Sequence, residues 1–225
     1  MTRFCHDSHG VYRAAPLAAL PWLDHGFGTR SPVPWTHDPQ LVTLRQVHSD
    51  TCIYTGGRAG RIGEGDALLT DKPGLVLAVR TADCLPILLV DEARRAVAIA
   101  HAGWRGTLKQ LAARAAEAMR ACFSTRPEDL HAAIGPGIGP CCYEVGPEVA
   151  VQFRSLFPER SDLSEKTRID LAEANRRLLV RAGVPEARIY LAGLCTCCRA
   201  AEFHSWRRDG RRAGRMLSVI RILSR

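Results

Sequence analysis

Lysine is scarce in this 225-residue chain. Lys72, Lys109 and Lys166 are the only three among 31 basic residues, so its positive charge is carried almost wholly by arginine. Aromatic residues make up just 6% and recur at no helical or strand spacing, which argues against a base-stacking platform for single-stranded nucleic acid. No run approaches the roughly 18 apolar residues of a membrane-spanning helix. Nineteen glycines and thirteen prolines are too few for collagen-like or low-complexity sequence. No His-x-His pair occurs, although multi-histidine copper clusters are usually built from such pairs. There is no internal repeat and no linker-like stretch. What is present is ordinary for a globular chain, 46% hydrophobic and 24% charged, and predicts one domain over residues 1–225.

The net charge of +8 rests on side chains whose planar fork suits phosphate or carboxylate. The charge is spread along the chain apart from Arg207, Arg208, Arg211, Arg212 and Arg215, so a small anionic ligand is favoured over a specific nucleic acid. Nine cysteines, an odd number with vicinal pairs, read as thiols of a reducing compartment and imply a cytoplasmic chain. Ala14–Leu23 imitates the apolar region of a signal peptide. Pro16 and Pro21 interrupt it, and Asp24-His25 follows where a small-residue cleavage site would stand.

Five prolines between Pro16 and Pro39 predict a largely irregular N-terminal forty residues. Short apolar runs then predict strands at Leu41–Val47, Thr51–Thr55, Leu75–Val79, Leu85–Val90 and Ala96–Ala100, with more at Leu130–Ile134, Ile189–Ala192 and Met216–Ile222. Leu108, Leu111, Ala112, Ala115, Met119 and Cys122 recur at helical spacing behind a Thr107–Gln110 capping box. Pro147 opens a second helix, and Asp170 with Glu173 opens a third that Gly183 closes. Strands first and helices later predict an α+β fold.

Polar residues collect among glycines and prolines at the ends of these strands. Gly103 and Gly106 in His101-Ala102-Gly103-Trp104-Arg105-Gly106 allow a tight strand-to-helix turn, which either packs Trp104 or offers a phosphate a helix start beside Arg105. His48, Cys84 and His101 each end or interrupt a strand. Two imidazoles and a thiolate form a zinc site with an open position, or Cys84 is a small buried hydrophobe. Asp83 either orients a ligand and moves a proton or caps a turn. Cys195-Thr196-Cys197-Cys198 is either a redox or metal cluster or a set of structural or incidental thiols; it lacks the spaced partner pairs of a zinc ribbon, and Cys141-Cys142 is too distant in sequence to be assigned to it, which favours structural or incidental thiols.

Taken in order, Gln46-Val47-His48, Gly65-Asp66-Ala67-Leu68, Ala82-Asp83-Cys84-Leu85-Pro86, His101–Gly106, Gly139–Val145, Cys195-Thr196 and Ser205–Arg208 with Gly214-Arg215 resemble the motifs of the YfiH/laccase-domain family. This family has been labelled both multicopper polyphenol oxidase and purine nucleoside phosphorylase. The resemblance implies a layered α/β/β/α sandwich with mixed sheets, similar to the catalytic domain of cytotoxic necrotizing factor toxins. It implies a zinc site at His48, Cys84 and His101, where copper is a possible substitute. It also implies phosphorolysis of adenosine, inosine, guanosine and methylthioadenosine, with adenosine deamination beside it. On that reading Cys84, Asp83 and Arg105 are the catalytic candidates, and Arg30, Gln46, Arg105 and Arg207 those for substrate and phosphate. A monomer is favoured. The chain departs from the family pattern in having fifteen residues between Arg30 and Gln46, where a longer segment is usual, and Gly137 where a further cysteine is common.

Two other activities stay open. One is a copper-binding polyphenol oxidase; the other is a thiol hydrolase in which Cys84 is the nucleophile and His101 the base, acting on a peptide or cell-wall precursor. Metal content separates them, because a thiol hydrolase survives chelation.

Overall fold

The computed structural model describes residues 4–224; residues 1–3 and 225, the ends of the expected domain, lie outside the described residues. In chain order the strands are β1 (Phe4–His6), β2 (Tyr12–Ala14), β3 (Leu23–Phe27), β4 (Leu41–Arg45), β5 (Cys52–Tyr54), β6 (Gly60–Glu64), β7 (Ala67–Thr70) and β8 (Val76–Thr81). They continue with β9 (Leu85–Asp91), β10 (Ala96–Ala102), β11 (Leu130–Ile134), β12 (Glu144–Val145), β13 (Thr167–Arg168), β14 (Ile189–Leu191) and β15 (Met216–Ile222). The helices are α1 (Ala15–Ala18), α2 (Trp104–Leu108), α3 (Leu111–Phe123), α4 (Pro147–Ala150), α5 (Leu171–Arg181) and α6 (Trp206–Asp209).

One sheet has seven strands in the order β1-β2-β3-β15-β8-β4-β6, and the other has six, β14-β11-β9-β10-β7-β5. Both are mixed. β4 runs parallel to β6 and β8, and β5 to β7, while β9, β10 and β11 pair antiparallel.

Strand β10 shows why the sheets stack. Its side chains alternate between two faces. Val97 and Ile99 enter a core shared with Leu77, Val79 and Ile220 of the larger sheet, whereas Ala96, Ala98 and Ala100 enter a second core with Ala112, Ala115 and Met119 of α3. Alanine on both sides of that contact lets the helix lie close to the sheet. All seven residues of β9 and of β10 are buried, which is why both read as near-continuous apolar runs. Each fully buried Val, Ile or Leu there contributes about 1.5–3 kcal/mol. The layers are therefore helix, sheet, sheet, and then a thin cover over the outer face of the larger sheet, where Val33 and Trp35 pack on Val76, Ala78, Leu217 and Val219.

At α5 the expected start is present: the Asp170 carboxylate accepts from the Glu173 amide at 2.9 Å, and Gly183, at φ +95°, follows the helix. The Thr107–Gln110 capping box is not formed. The helix begins at Trp104 after Gly103, and Gln110 adopts φ 62°, breaking the run into α2 and α3. Thr107 is buried and accepts from Asn175 Nδ2 at 2.8 Å, tying α2 to α5. The N-terminal forty residues also hold more order than their prolines suggest. They supply β1, β2 and β3, and Leu17 and Leu23 from Ala14–Leu23 are buried in the core between the sheets.

Candidate active site

Three chain segments converge where the two sheets are joined. The loop after β4 carries His48, Ala82–Cys84 takes the chain from β8 in the larger sheet to β9 in the smaller, and His101 lies at the end of β10. His48 has φ 57° and Asp83 φ 87°, so one member of the cluster and the chain neighbour of another adopt left-handed backbone, a conformation that persists where its surroundings enforce it.

One ligand atom from each of His48, Cys84 and His101 lies within 4.8 Å of the others. Cys84 Sγ is 3.9 Å from His48 Nε2, and the two imidazole rings stand 4.9 Å apart edge to face. Gly103 permits this closeness: a Cβ there would be 2.7 Å from Cys84 Sγ. His101 Nδ1 donates to Asp66 Oδ1 at 2.8 Å, which leaves Nε2 as the ring nitrogen available to the cluster. Asp66 is fully buried and also accepts from the Ser49 amide and hydroxyl at 2.6 and 2.8 Å. Burial would raise its pKa, but the bonds from His101 and Ser49 hold it down to about 2. Burial likewise opposes the ionised forms of Cys84 and His101. Their bonds to each other, to His48 and to Asp66 win, bringing the Cys84 thiol down to about 6 and His101 up to about 9.

An N₂S donor set of two imidazoles and one thiolate, with a buried carboxylate behind one imidazole, suits a tetrahedral divalent ion with one position left open. Asp66 is the residue that reading of the sequence overlooked. Its signal was the Gly65-Asp66-Ala67-Leu68 segment, in which a carboxylate directly precedes the apolar strand β7.

The cluster opens into a cavity of about 890 Å³ lined by Gln46, Arg80, Arg105, Tyr143, Glu144, Trp206, Arg207 and Arg215 among others. This volume and its mixed lining suit a small polar ligand with an aromatic part. Arg105 stacks on Trp104 at 4.2 Å, and Arg207 lies over Tyr143 at 5.4 Å while donating to the carbonyls of Cys142 and Glu144. Arg80 and Arg215 are wall residues not singled out for this cavity from the sequence.

One expected site residue lies outside the cavity, and two that line it are held by bonds within the protein. Arg30 does not line this cavity. It lines a separate depression of about 240 Å³ with His204, Arg208 and Arg212, and donates to the Ala200 carbonyl at 2.8 Å. Asp83 reaches the cavity wall, but its carboxylate is filled from within: Thr196 Oγ1 donates at 2.6 Å, Ser205 Oγ at 3.1 Å and the Arg207 amide at 2.7 Å. These bonds tie it to the Arg207 turn. Gln46 lines the cavity with both ends of its amide paired to the Arg80 backbone at 2.8 Å, so it fixes Arg80. Gly137, the departure from the family pattern, has no room for a side chain: a Cβ would meet Leu85 Cδ2 at 2.4 Å and the Asp83 carbonyl at 3.0 Å.

Cys141 and Cys142, too distant in sequence to be assigned to Cys195 and Cys198, come together with them, all four sulfurs lying within 4.8 Å of one another. No described helix is long and apolar enough to cross a membrane.

Residues 33–223 match the family described as multi-copper polyphenol oxidoreductase laccase. The chain is 43% identical to a purine nucleoside phosphorylase of Deinococcus radiodurans over 80% of its own length and 69% of that relative's. It is 42% identical to adenosine deaminase RL5, from an unknown prokaryotic organism, over 80% of the chain and 74% of the relative. The matched region spans 59% to 69% of the length of three curated purine nucleoside phosphorylases. The crystal structure of YlmD from Geobacillus stearothermophilus superposes with a TM-score of 0.89 at 30% identity, covering all of both chains. The chain therefore belongs to the YfiH-like laccase-domain family, a family of enzymes.

Proposed function

We propose that the chain is a zinc-dependent purine nucleoside phosphorylase, converting adenosine, inosine, guanosine or methylthioadenosine and phosphate into the free base and ribose 1-phosphate. The observation that carries this reading is the joining of an N₂S cluster to a cavity walled by Arg80, Arg105, Arg207 and Arg215. A phosphorylase must gather a polyanion against a neutral nucleoside, and four guanidinium groups around one cavity supply that attraction.

Phosphate is held by Arg105 and Arg207, and its oxygen attacks C1′ as the C1′–N9 bond breaks; the purine leaves with the bonding pair on N9 and takes up the proton that dihydrogen phosphate gives up. Gln46 holds Arg80 at the wall through the backbone, and Asp83 holds the turn from which Arg207 projects. His48, Cys84 and His101 would hold the zinc, and Asp66 fixes the His101 tautomer and orientation. Zinc bound there supplies a Lewis acid able to polarise a substrate oxygen or to lower the pKa of a water. A second activity, adenosine deamination, is favoured by the similarity to a protein named adenosine deaminase.

The deciding assay is chromatography of adenosine incubated with the zinc-loaded chain, with and without phosphate. Adenine and ribose 1-phosphate that form only with phosphate support phosphorolysis, while inosine formed without phosphate supports deamination. Adenosine unchanged under both conditions, together with the other three nucleosides, overturns the reading.

A further inference from the structure

We propose a second metal centre in this chain: a tetrathiolate zinc site formed by Cys141, Cys142, Cys195 and Cys198, which staples a loop that leads into the cavity wall to a second loop behind it. Cys198 Sγ lies 3.4 Å from Cys141 Sγ and 3.3 Å from Cys142 Sγ, although these residues are 57 and 56 positions away in sequence. The four sulfurs all fall within 4.8 Å of one another. Four sulfurs at the zinc–sulfur distance of a tetrahedral site stand about 3.8 Å apart, inside the observed span.

The backbone prepares this arrangement. Cys141 and Cys142 lie on a tight turn in which the Cys142 and Tyr143 amides both donate to the Gly139 carbonyl, at 3.0 and 2.9 Å. Cys195 and Cys198 lie on a second turn, closed by the Arg199 amide on the Cys195 carbonyl at 3.1 Å. The turns are bound to each other: the Thr196 amide donates to the Gly137 carbonyl at 3.0 Å, and the Gly139 amide to Cys195 Sγ at 3.2 Å. An amide aimed at a sulfur stabilises a thiolate ligand. Arg207 and Arg208 donate to the carbonyls of Cys142, Thr196 and Cys197, placing positive charge beside what would be a doubly negative centre.

A disulfide accounts for the cluster less well. Cys198 is equally close to two vicinal partners, so no one pair is selected, and any single bridge strands the other two thiols. Cys197 lies between two members of the cluster in sequence but is not part of it, so proximity in sequence alone does not gather these sulfurs. Soft thiolates select a thiophilic ion, and zinc is the redox-silent member of that class. Cys141 and Cys198 are exposed, which gives the ion a way in.

The consequence is mechanical. The first turn leads directly into Tyr143–Gly146 of the cavity wall, and the second carries Thr196, which holds Asp83. The inference is independent of which reaction the cavity performs.

The test uses the reduced full-length chain and metal alone. By mass analysis the wild-type protein should hold about two zinc ions per chain, Cys84→Ala about one, a Cys195→Ser/Cys198→Ser double variant about one, and the Cys197→Ser control about two. Loss of folding in the double variant would leave the decisive measurement intact, because Cys84→Ala protein retains all four clustered thiols. Titrated with cobalt(II), Cys84→Ala should give the intense sulfur-to-cobalt charge-transfer band of a tetrathiolate. Absence of that band, or a disulfide mapped among the four cysteines in protein kept reduced, overturns the proposal. So does a double variant with wild-type zinc content.

Discussion

Asp66 Oδ1 accepts from His101 Nδ1 at 2.8 Å inside the smaller sheet, and this one bond decides which nitrogen of His101 faces Cys84 and His48. Asp66→Asn should keep the fold yet weaken zinc binding about 10- to 100-fold, because the amide no longer enforces the tautomer. Competition against a chelator of known affinity measures it. Unchanged affinity would show that Asp66 is structural only.

Cys84→Ala should remove zinc from the N₂S cluster and abolish turnover while leaving the circular dichroism spectrum and melting temperature close to wild type. The side chain is small and half-buried. Full turnover in this variant would exclude the cluster from the chemistry.

Arg105→Ala should raise the phosphate KM at least about tenfold without changing zinc content, since loss of a charged hydrogen bond costs about 1.5–3 kcal/mol. Arg30→Ala should leave KM unchanged, because Arg30 lines the other depression. Steady-state kinetics with varied phosphate compare the two, and equal effects would overturn the placement of the anion site.

Asp83→Ala leaves the Thr196 and Ser205 hydroxyls and the Arg207 amide without their acceptor. A stability loss of about 3 kcal/mol is expected by urea unfolding. A variant as stable as wild type would mean that the Arg207 turn holds itself.

His25 carries a pH dependence unrelated to the metal cluster. It is fully buried, its Nε2 accepts from the Ala14 amide at 3.0 Å, and burial together with nearby Arg13 lowers its pKa from 6.5 to about 4. Because the folded value is depressed, the unfolded chain binds the extra proton first, and the contribution present above pH 6.5 is lost as pH falls toward 4. Between pH 7 and pH 5 it should cost about 2 kcal/mol. Urea unfolding of wild type and His25→Gln at both pH values isolates it, and parallel losses would assign the effect elsewhere.

The core was legible because its periodicity is local. β9, β10, β11 and β15 were recognisable from runs of Val, Ile, Leu and Ala, and α5 from Asp170 and the spacing behind it. Short polar strands were not: β6, Gly60–Glu64, has no apolar run, and its place in the sheet comes from pairing with β4. The broken helix at Gln110 was hidden for a related reason, since Thr107 is drawn into a bond with Asn175, far along the chain.

The order of apolar runs and helical spacings by itself determined the α+β class, and the ordered motifs the family and the three candidate ligands His48, Cys84 and His101, because each is a short stretch whose residue types are visible without its neighbours in space. Tertiary structure alone decided which groups stand behind them. It gave Asp66 to His101, turned the Asp83 carboxylate toward Thr196 and Ser205, moved Arg30 out of the cavity, and gathered four cysteines from two distant turns. Each of those outcomes depends on contacts between segments remote in sequence, and such contacts are set by how two sheets and their connecting loops pack.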